Sequence, residues 1–372
     1  MRTLVFYDEH FPYEGERPSA EALERLREWA VVADAADVAD RLTEGGWDTL
    51  IHLHGSYFPK AAWAAIEAHL KAGGGLVHAG GLPFRRPVRE LNGSWHAERE
   101  QLAYHQRMDI HDALAVDVSR IRELKASAEY PILQGREELF GMEPTWGLTL
   151  HPTKASDIPA EMGACGPMDA VISPLLIGVD RDRRERSAPV VMLEQHKGDY
   201  AGGRWILINQ QLRASFWESK GDVLKDLAEY AGTGVTELWL KPNYASYEPG
   251  EQMRLTIQLQ TLSRTAAPAQ TWQFAVSLIK EDNGETVWTG HEKSEAGMQQ
   301  RDLQQLRLSV PVRLEAGLYR IVCEAESDSG ERRTLTQAVW GVDRPLLQAR
   351  ESGWNAGAIT SAAAGGRFRS LA

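Results

Sequence analysis

Three histidines stand where a parallel sheet would present chemistry. His52 and His54 lie two residues apart in WDTLIHLHGSYFP (47–59), and His78 follows in LVHAGG (76–81). In an extended strand, residues i and i+2 share a face. His52 and His54 would therefore project together near a strand's C-terminal end. Imidazoles so spaced, joined by a neighbouring-strand ligand such as Asp8 or His10 in DEH (8–10), could hold a metal or serve a hydrolase. The simpler reading has them filling polar niches at strand ends, bonded to backbone. It is preferred because no HExxH-like spacing is present, so no metal and no cofactor are expected.

Other chemistry is sparser. An elbow nucleophile would sit on a glycine turn between a strand and a helix. That turn here reads HAGGLPF (78–84), with no Cys or Ser at the bend. Cys165 lies far downstream in an irregular segment, and Cys323 sits in an alternating strand and reads as core. The glycines of KAGGGLVHAGG (71–81) form neither GxGxxG nor GK[ST], so they end a helix and start a strand rather than cradle phosphate. Trp239, Trp272, Trp288 and Trp340 could stack on sugar rings, but packing in a core or at an interface with a neighbouring domain is the expectation. No strand-end pair of carboxylates has the arrangement that glycoside hydrolysis needs.

The elements that would position these residues alternate. TLVFY (3–7), AVVAD (30–34), Thr49–Leu53 and LVHAGG read as strands. Between them, helices are expected from Ser19 as N-cap with Leu23 and Leu26 inward, over 36–46 with Val38 and Leu42 inward, and from Lys60 to Ala72 with Trp63, Ile66 and Leu70 on one stripe. Such β-α-β succession predicts an α/β, doubly wound, mainly parallel sheet. Its ligands would lie beyond the strands' carboxyl ends. Residues 99–114 look helical, and 168–180, 188–198 and 203–211 look like strands. A closing helix is expected over 220–232. From Val235 the pattern becomes strict apolar–polar alternation with Asn283-Gly284 as a hairpin signal. This predicts an all-β, immunoglobulin-like sandwich. The expected domains are 1–234 and 235–342. The Ala-, Gly- and Ser-rich tail 343–372 is expected to be disordered.

The chain has 372 residues, 43% hydrophobic and 25% charged, with a net charge of -11 and two cysteines. That balance disfavours nucleic acid as a partner, because phosphate binding needs clustered Lys and Arg. No apolar run approaches the roughly 18 residues of a membrane span, and no signal peptide is recognised. A cytoplasmic location is expected.

The run GGWDTLIHLHGSYFPKAAWAAIEAHLKAGGGLVHAGGLPF (45–84) resembles class I glutamine amidotransferase-like domains of the kind carried by bacterial glycoside hydrolases. The trimerisation domain of one β-galactosidase family is the nearest such relative. EQLAYHQRMDIHDAL (100–114) and GRWILINQQL (203–212) resemble the same group. Working amidotransferases carry a Cys at the elbow, where this chain has Ala79, Gly80 and Gly81. The resemblance thus implies a non-catalytic accessory or assembly region, flavodoxin/amidotransferase-like in fold. Its partners would be carbohydrate or a catalytic (β/α)8 barrel, with a homo-oligomer as one form of assembly. It also implies strand-end contacts at Glu9, His10, His54, Tyr57 and Pro83. Read two bases out of register with GC-rich codons, the tail can resemble a barrel-opening segment. The chain is therefore expected to be frameshifted or truncated before its barrel, which the gene sequence near codon 350 would decide. The rival expectations are a hydrolase or sugar-modifying enzyme using His52, His54 and His78, and a carbohydrate-binding module in the sandwich.

Overall fold

Leu4, Val5 and Phe6 are all buried yet pack into different layers, which is what a strand covered on both faces requires. The computed structural model describes residues 1–150, 169–218, 222–262, 270–294 and 303–342. Two compact units are present: one takes in Met1–Val235 together with Thr261 and Leu262, the other Thr236–Gln260 and the described residues from Gln270 onward.

In the first unit the strands are β1 (Thr3–Phe6), β2 (Val31–Ala33), β3 (Thr49–His52), β4 (Tyr57–Pro59), β5 (Gly75–Ala79), β6 (Arg86–Leu91), β7 (Ser94–Ala97), β8 (Ile110–Ala115), β9 (Glu123–Ala126), β10 (Trp146–Leu150), β11 (Ala170–Val179), β12 (Glu185–Gln195) and β13 (Arg204–Ile208). Among the described residues the α-helices are α1 (Ala20–Trp29), α2 (Val38–Glu44), α3 (Trp63–Lys71), α4 (Ala103–Gln106), α5 (Ala214–Glu218) and α6 (Asp222–Gly232). Eight strands form one sheet in the order β2-β1-β3-β5-β13-β12-β11-β9. The first five run parallel. The pairs β13–β12, β12–β11 and β11–β9 are antiparallel. The sheet is therefore mixed. β12 returns to β13 through a tight turn over 196–203, and so short a connection can only join antiparallel neighbours.

The alternation of side chains along the strands sorts the helices. Val5, Ile51, Val77 and Ile206 pack with Ala22 and Leu26 of α1 and with Val223, Leu224 and Leu227 of α6. Leu4, Phe6, Leu50, Leu76 and Leu207 pack with Val38 and Leu42 of α2 and Trp63, Ile66 and Leu70 of α3. Ser19 caps α1, its Oγ accepting the Ala22 N–H at 3.1 Å. The helix expected over 99–114 shrinks to the single turn of α4. Asp109 adopts a left-handed φ of 60°, which no helix continues through, and residues from Ile110 form β8 against β10.

Among the described residues the second unit has the strands β14 (Val235–Pro242), β15 (Ser246–Tyr247), β16 (Met253–Leu262), β17 (Trp272–Lys280), β18 (Thr286–Lys293), β19 (Leu303–Val310), β20 (Gly317–Ser327) and β21 (Arg332–Gly341), and no helix. One sheet is β14-β16-β19, the other β15-β21-β20-β17-β18. Leu255, Ile257 and Leu259 of the first and Phe274, Val276, Ile321 and Cys323 of the second share one core. Asn283-Gly284 lies in the loop joining β17 to β18, with Gly284 at φ 71°. Trp272 is core, whereas Trp340 is 55% exposed. Trp239 is covered by the Lys241 ammonium, 4.1 Å from its ring centroid. Among the described residues no helix is long and apolar enough to cross a membrane. The tail 343–372 lies outside the described residues.

Candidate functional site at the strand-end rim

β1, β3 and β5 end side by side, and their following turns form the rim. His52 is the last residue of β3 and pairs in register with His78 on β5. Their rings stack at 4.9 Å between centroids, 12° from parallel, and both residues are fully buried. The His78 Nε2–H donates to the Gly55 carbonyl at 2.8 Å. The other His78 nitrogen has no hydrogen-bond partner, and neither His52 nitrogen makes a well-formed bond, although the backbone of His52 and of Tyr57 lies close enough to favour its charged form. Burial pushes the His78 pKa down to about 4, and burial with the neighbouring imidazoles holds His52 well below its usual value. Both rings are neutral near pH 7.

His54 lies beyond the strand, in the turn after it. Its Nδ1 faces the Pro12 carbonyl at 2.8 Å and its Nε2 faces the Asp8 N–H at 3.0 Å. A carbonyl only accepts and an amide only donates, so the tautomer is fixed as Nδ1–H. The ring thus staples the loop after β1 to the turn after β3, inside an aromatic cage of Phe6, Tyr7, Phe11 and Tyr13. Burial lowers its pKa to about 3. The ring is fully buried and both its nitrogens are occupied within the protein.

The other expected contacts scatter. Glu9 and His10 are exposed and form a loose pair at 3.6 Å. Asp8 is used by the backbone, its carboxylate accepting the N–H groups of His10 and Ala35. Tyr57 is half-buried and accepts a hydrogen bond from Arg86 at 3.0 Å. Pro83 is buried beside Phe84. Phe84 lies over the histidine pair, its ring 4.9 Å from His52 and 5.4 Å from His78, with a left-handed φ of 48°.

A residue that sequence reasoning missed occupies the elbow. The Glu14 carboxylate accepts the Ser56 hydroxyl at 2.6 Å and the Ser56 N–H at 3.1 Å. A Cβ added to Gly55 or to Gly81 would lie 2.7 Å from Glu14 Oε2, and one on Gly81 would also meet the Trp146 ring at 3.5 Å. Glycine at both strand ends is what admits this carboxylate. The paired glycines were the only signal available, and nothing in them names Glu14, far upstream of both, as the group they admit.

Among the described residues no three acid, thiol or imidazole groups converge on a metal position. The stacked faces of His52 and His78 and the occupied nitrogens of His54 explain why these three do not. Cys323 is buried and its thiol is pushed up to about 12 by burial, leaving it protonated and inert. Cys165 lies outside the described residues. An open cleft of about 350 Å³ lies at the start of α1, lined by the N-cap Ser19 with Arg17, Ala214 and Trp217 among others, and includes none of the candidate site residues named from the sequence.

No family model matches the chain, and no curated protein does. Among solved structures it is similar to the β-galactosidase of Rahnella sp. R3, at 11% identity over 83% of this chain and 41% of that one, TM-score 0.33. The β-galactosidase of Bacillus circulans sp. alkalophilus gives 10% identity, 82% and 41% coverage, and a TM-score of 0.34. The CARDB domain of the PF1109 protein of Pyrococcus furiosus gives 15% identity over 29% of this chain and 88% of that one, TM-score 0.21. The chain spans 41% of the length of each of the two galactosidases.

Proposed function

We propose that this chain is the non-catalytic accessory region of a bacterial glycoside hydrolase, with an amidotransferase-like α/β unit serving as scaffold and an immunoglobulin-like sandwich beside it in sequence. The observation that carries the reading is the Glu14 carboxylate, bound twice by Ser56 and lying where an elbow nucleophile would project. The rim histidines fit the same role: they are neutral, buried and engaged in packing rather than poised for proton transfer. The resemblance of 45–84 to accessory domains of such hydrolases supplies the biological setting. The partner would be a (β/α)8 barrel or its carbohydrate, with self-assembly of the scaffold and a cytoplasmic setting as parts of the proposal. The test is turnover of aryl glycosides and of glutamine by the purified chain. No activity above buffer is expected, whereas turnover abolished by His54→Ala or Glu14→Ala would overturn the reading.

A second reading, carbohydrate binding by the sandwich, is favoured by one observation, the exposed indole of Trp340. Calorimetry of the whole chain and of Trp340→Ala against plant and microbial polysaccharides tests it. Binding lost in the variant supports it, and no heat from either protein removes it.

A further inference from the structure

We propose that the stacked His52–His78 pair under Phe84 is an acid-sensitive latch, whose charging releases the turn from Gly80 to Arg85 before the rest of the α/β unit unfolds. The two rings face aromatic carbon almost everywhere. β1 contributes Phe6, and the turn after β5 contributes Phe84, which is itself packed on Phe58 of β4 and Trp63 of α3. The titratable groups nearby are few. His54 stands 6.3 Å from His52, ring to ring. Arg17 acts electrostatically on His54 and disfavours a further positive charge there. The Asp8 carboxylate is turned to the amides of His10 and Ala35, the Glu14 carboxylate is held on Ser56, and the Tyr57 hydroxyl faces Arg86. Among the described residues, then, no carboxylate contacts either ring as a counterion.

Charging one imidazole would bury a cation beside a second imidazole with no carboxylate against it, a cost that the backbone of His52 and Tyr57 offsets only in part. Relief requires water, and the lid is the element least able to resist it. Phe84 is held at φ 48° and follows Gly80 and Gly81 at φ 100° and 147°. An aromatic residue in the left-handed region stays there only while its packing holds it. Swinging Phe84 out would end that strain, hydrate both rings and withdraw Gly81 from Glu14 and Trp146. Burial already lowers the pKa of both imidazoles, so the transition falls below the usual histidine range.

Hydrogen exchange of the full chain, corrected for intrinsic rates, tests the latch between about pH 7.5 and about pH 4. Amides of 79–86 should lose protection about tenfold or more in acid while those of α6 stay protected. In His52→Phe, which keeps an aromatic ring and removes one titrating group, this early loss should vanish or move about one pH unit lower. Should that variant fail to fold, imidazole titration by NMR in the wild type replaces it, with His52 and His78 charging in the same pH interval as the local loss. The latch is overturned if 79–86 and α6 lose protection together, if His52→Phe opens at the wild-type pH, or if the rings charge while the turn stays closed.

Discussion

In the sandwich, alternate residues of each strand enter one core of aliphatic and aromatic side chains, running from Leu238 to Val339. The α/β unit instead closes one end of its sheet with four buried imidazoles, of His52, His54, His78 and His105, and buries an ion pair toward the other, Arg204 to Glu194 at 2.8 Å. Among its described residues the sandwich buries one ion pair of its own, Arg333 to Glu331, but no imidazole. The α/β unit adds polar contacts that hold only in one protonation state. The difference teaches where sensitivity resides: in the unit whose strand ends must be sealed with groups that can change charge.

Acid should expose that difference most strongly. The folded-state pKa values of His54, His78 and His105 lie near 3, 4 and 4, below the unfolded value, and His52 is also lowered. The unfolded chain therefore binds more protons in acid. Stability is full above about pH 6.5 and is lost as pH falls toward about 4, by up to about 1.4 kcal/mol per pH unit for each histidine. Thermal melts across this range should show the α/β transition collapsing while the sandwich transition moves little. Equal loss in both would break the comparison.

Next in size is Arg204→Ala. It strands the fully buried Glu194 carboxylate and removes the bond to Thr233 and the stacking on Tyr230. A cost of about 3–5 kcal/mol is expected in denaturant titrations, and Arg204→Met with Glu194→Gln should recover much of it. Ile257→Ala, in the centre of the sandwich core, should cost about 3 kcal/mol by leaving a cavity, with the same value at neutral and mildly acid pH. The smallest effect expected is about 1–2 kcal/mol for Gly81→Ala, whose Cβ meets Glu14 at a left-handed φ of 147°. A double-mutant cycle with Glu14→Ala should show coupling between the two, and simple additivity would remove the carboxylate from the elbow.

Much of this frame was legible in the sequence, because it depends on local periodicity. The apolar runs of β1, β3 and β5 and the stripe Trp63, Ile66 and Leu70 stand in the order and on the elements expected. Strand direction was legible only in part: the short Gly-containing connection between β12 and β13 calls for antiparallel neighbours, whereas the wholly buried run Val190, Val191, Met192 and Leu193 looks like a parallel strand. The helix read over 99–114 rested on apolar spacing that a left-handed Asp109 interrupts, and such a φ leaves no mark in composition. At the rim, the histidines were visible as residue types in a strand. Their burial, the tautomer of His54 and the position of Glu14 depend on loops that meet only after folding.

The placement of β13 against β5 also bears on how the chain is made. Ile206, Leu207 and Ile208 pair in parallel with Val77, His78 and Ala79, yet the intervening segment runs from residue 80 to 203. At translation rates of about 5–20 residues per second, the hydrogen-bonding edge of β5 waits on the order of ten seconds for its neighbour to be synthesised. Over that interval the nascent chain carries an open, apolar strand edge, the kind of surface on which intermolecular pairing starts. Chaperone dependence during synthesis should accordingly be greatest for chains arrested before residue 204 and fall once β13 can dock.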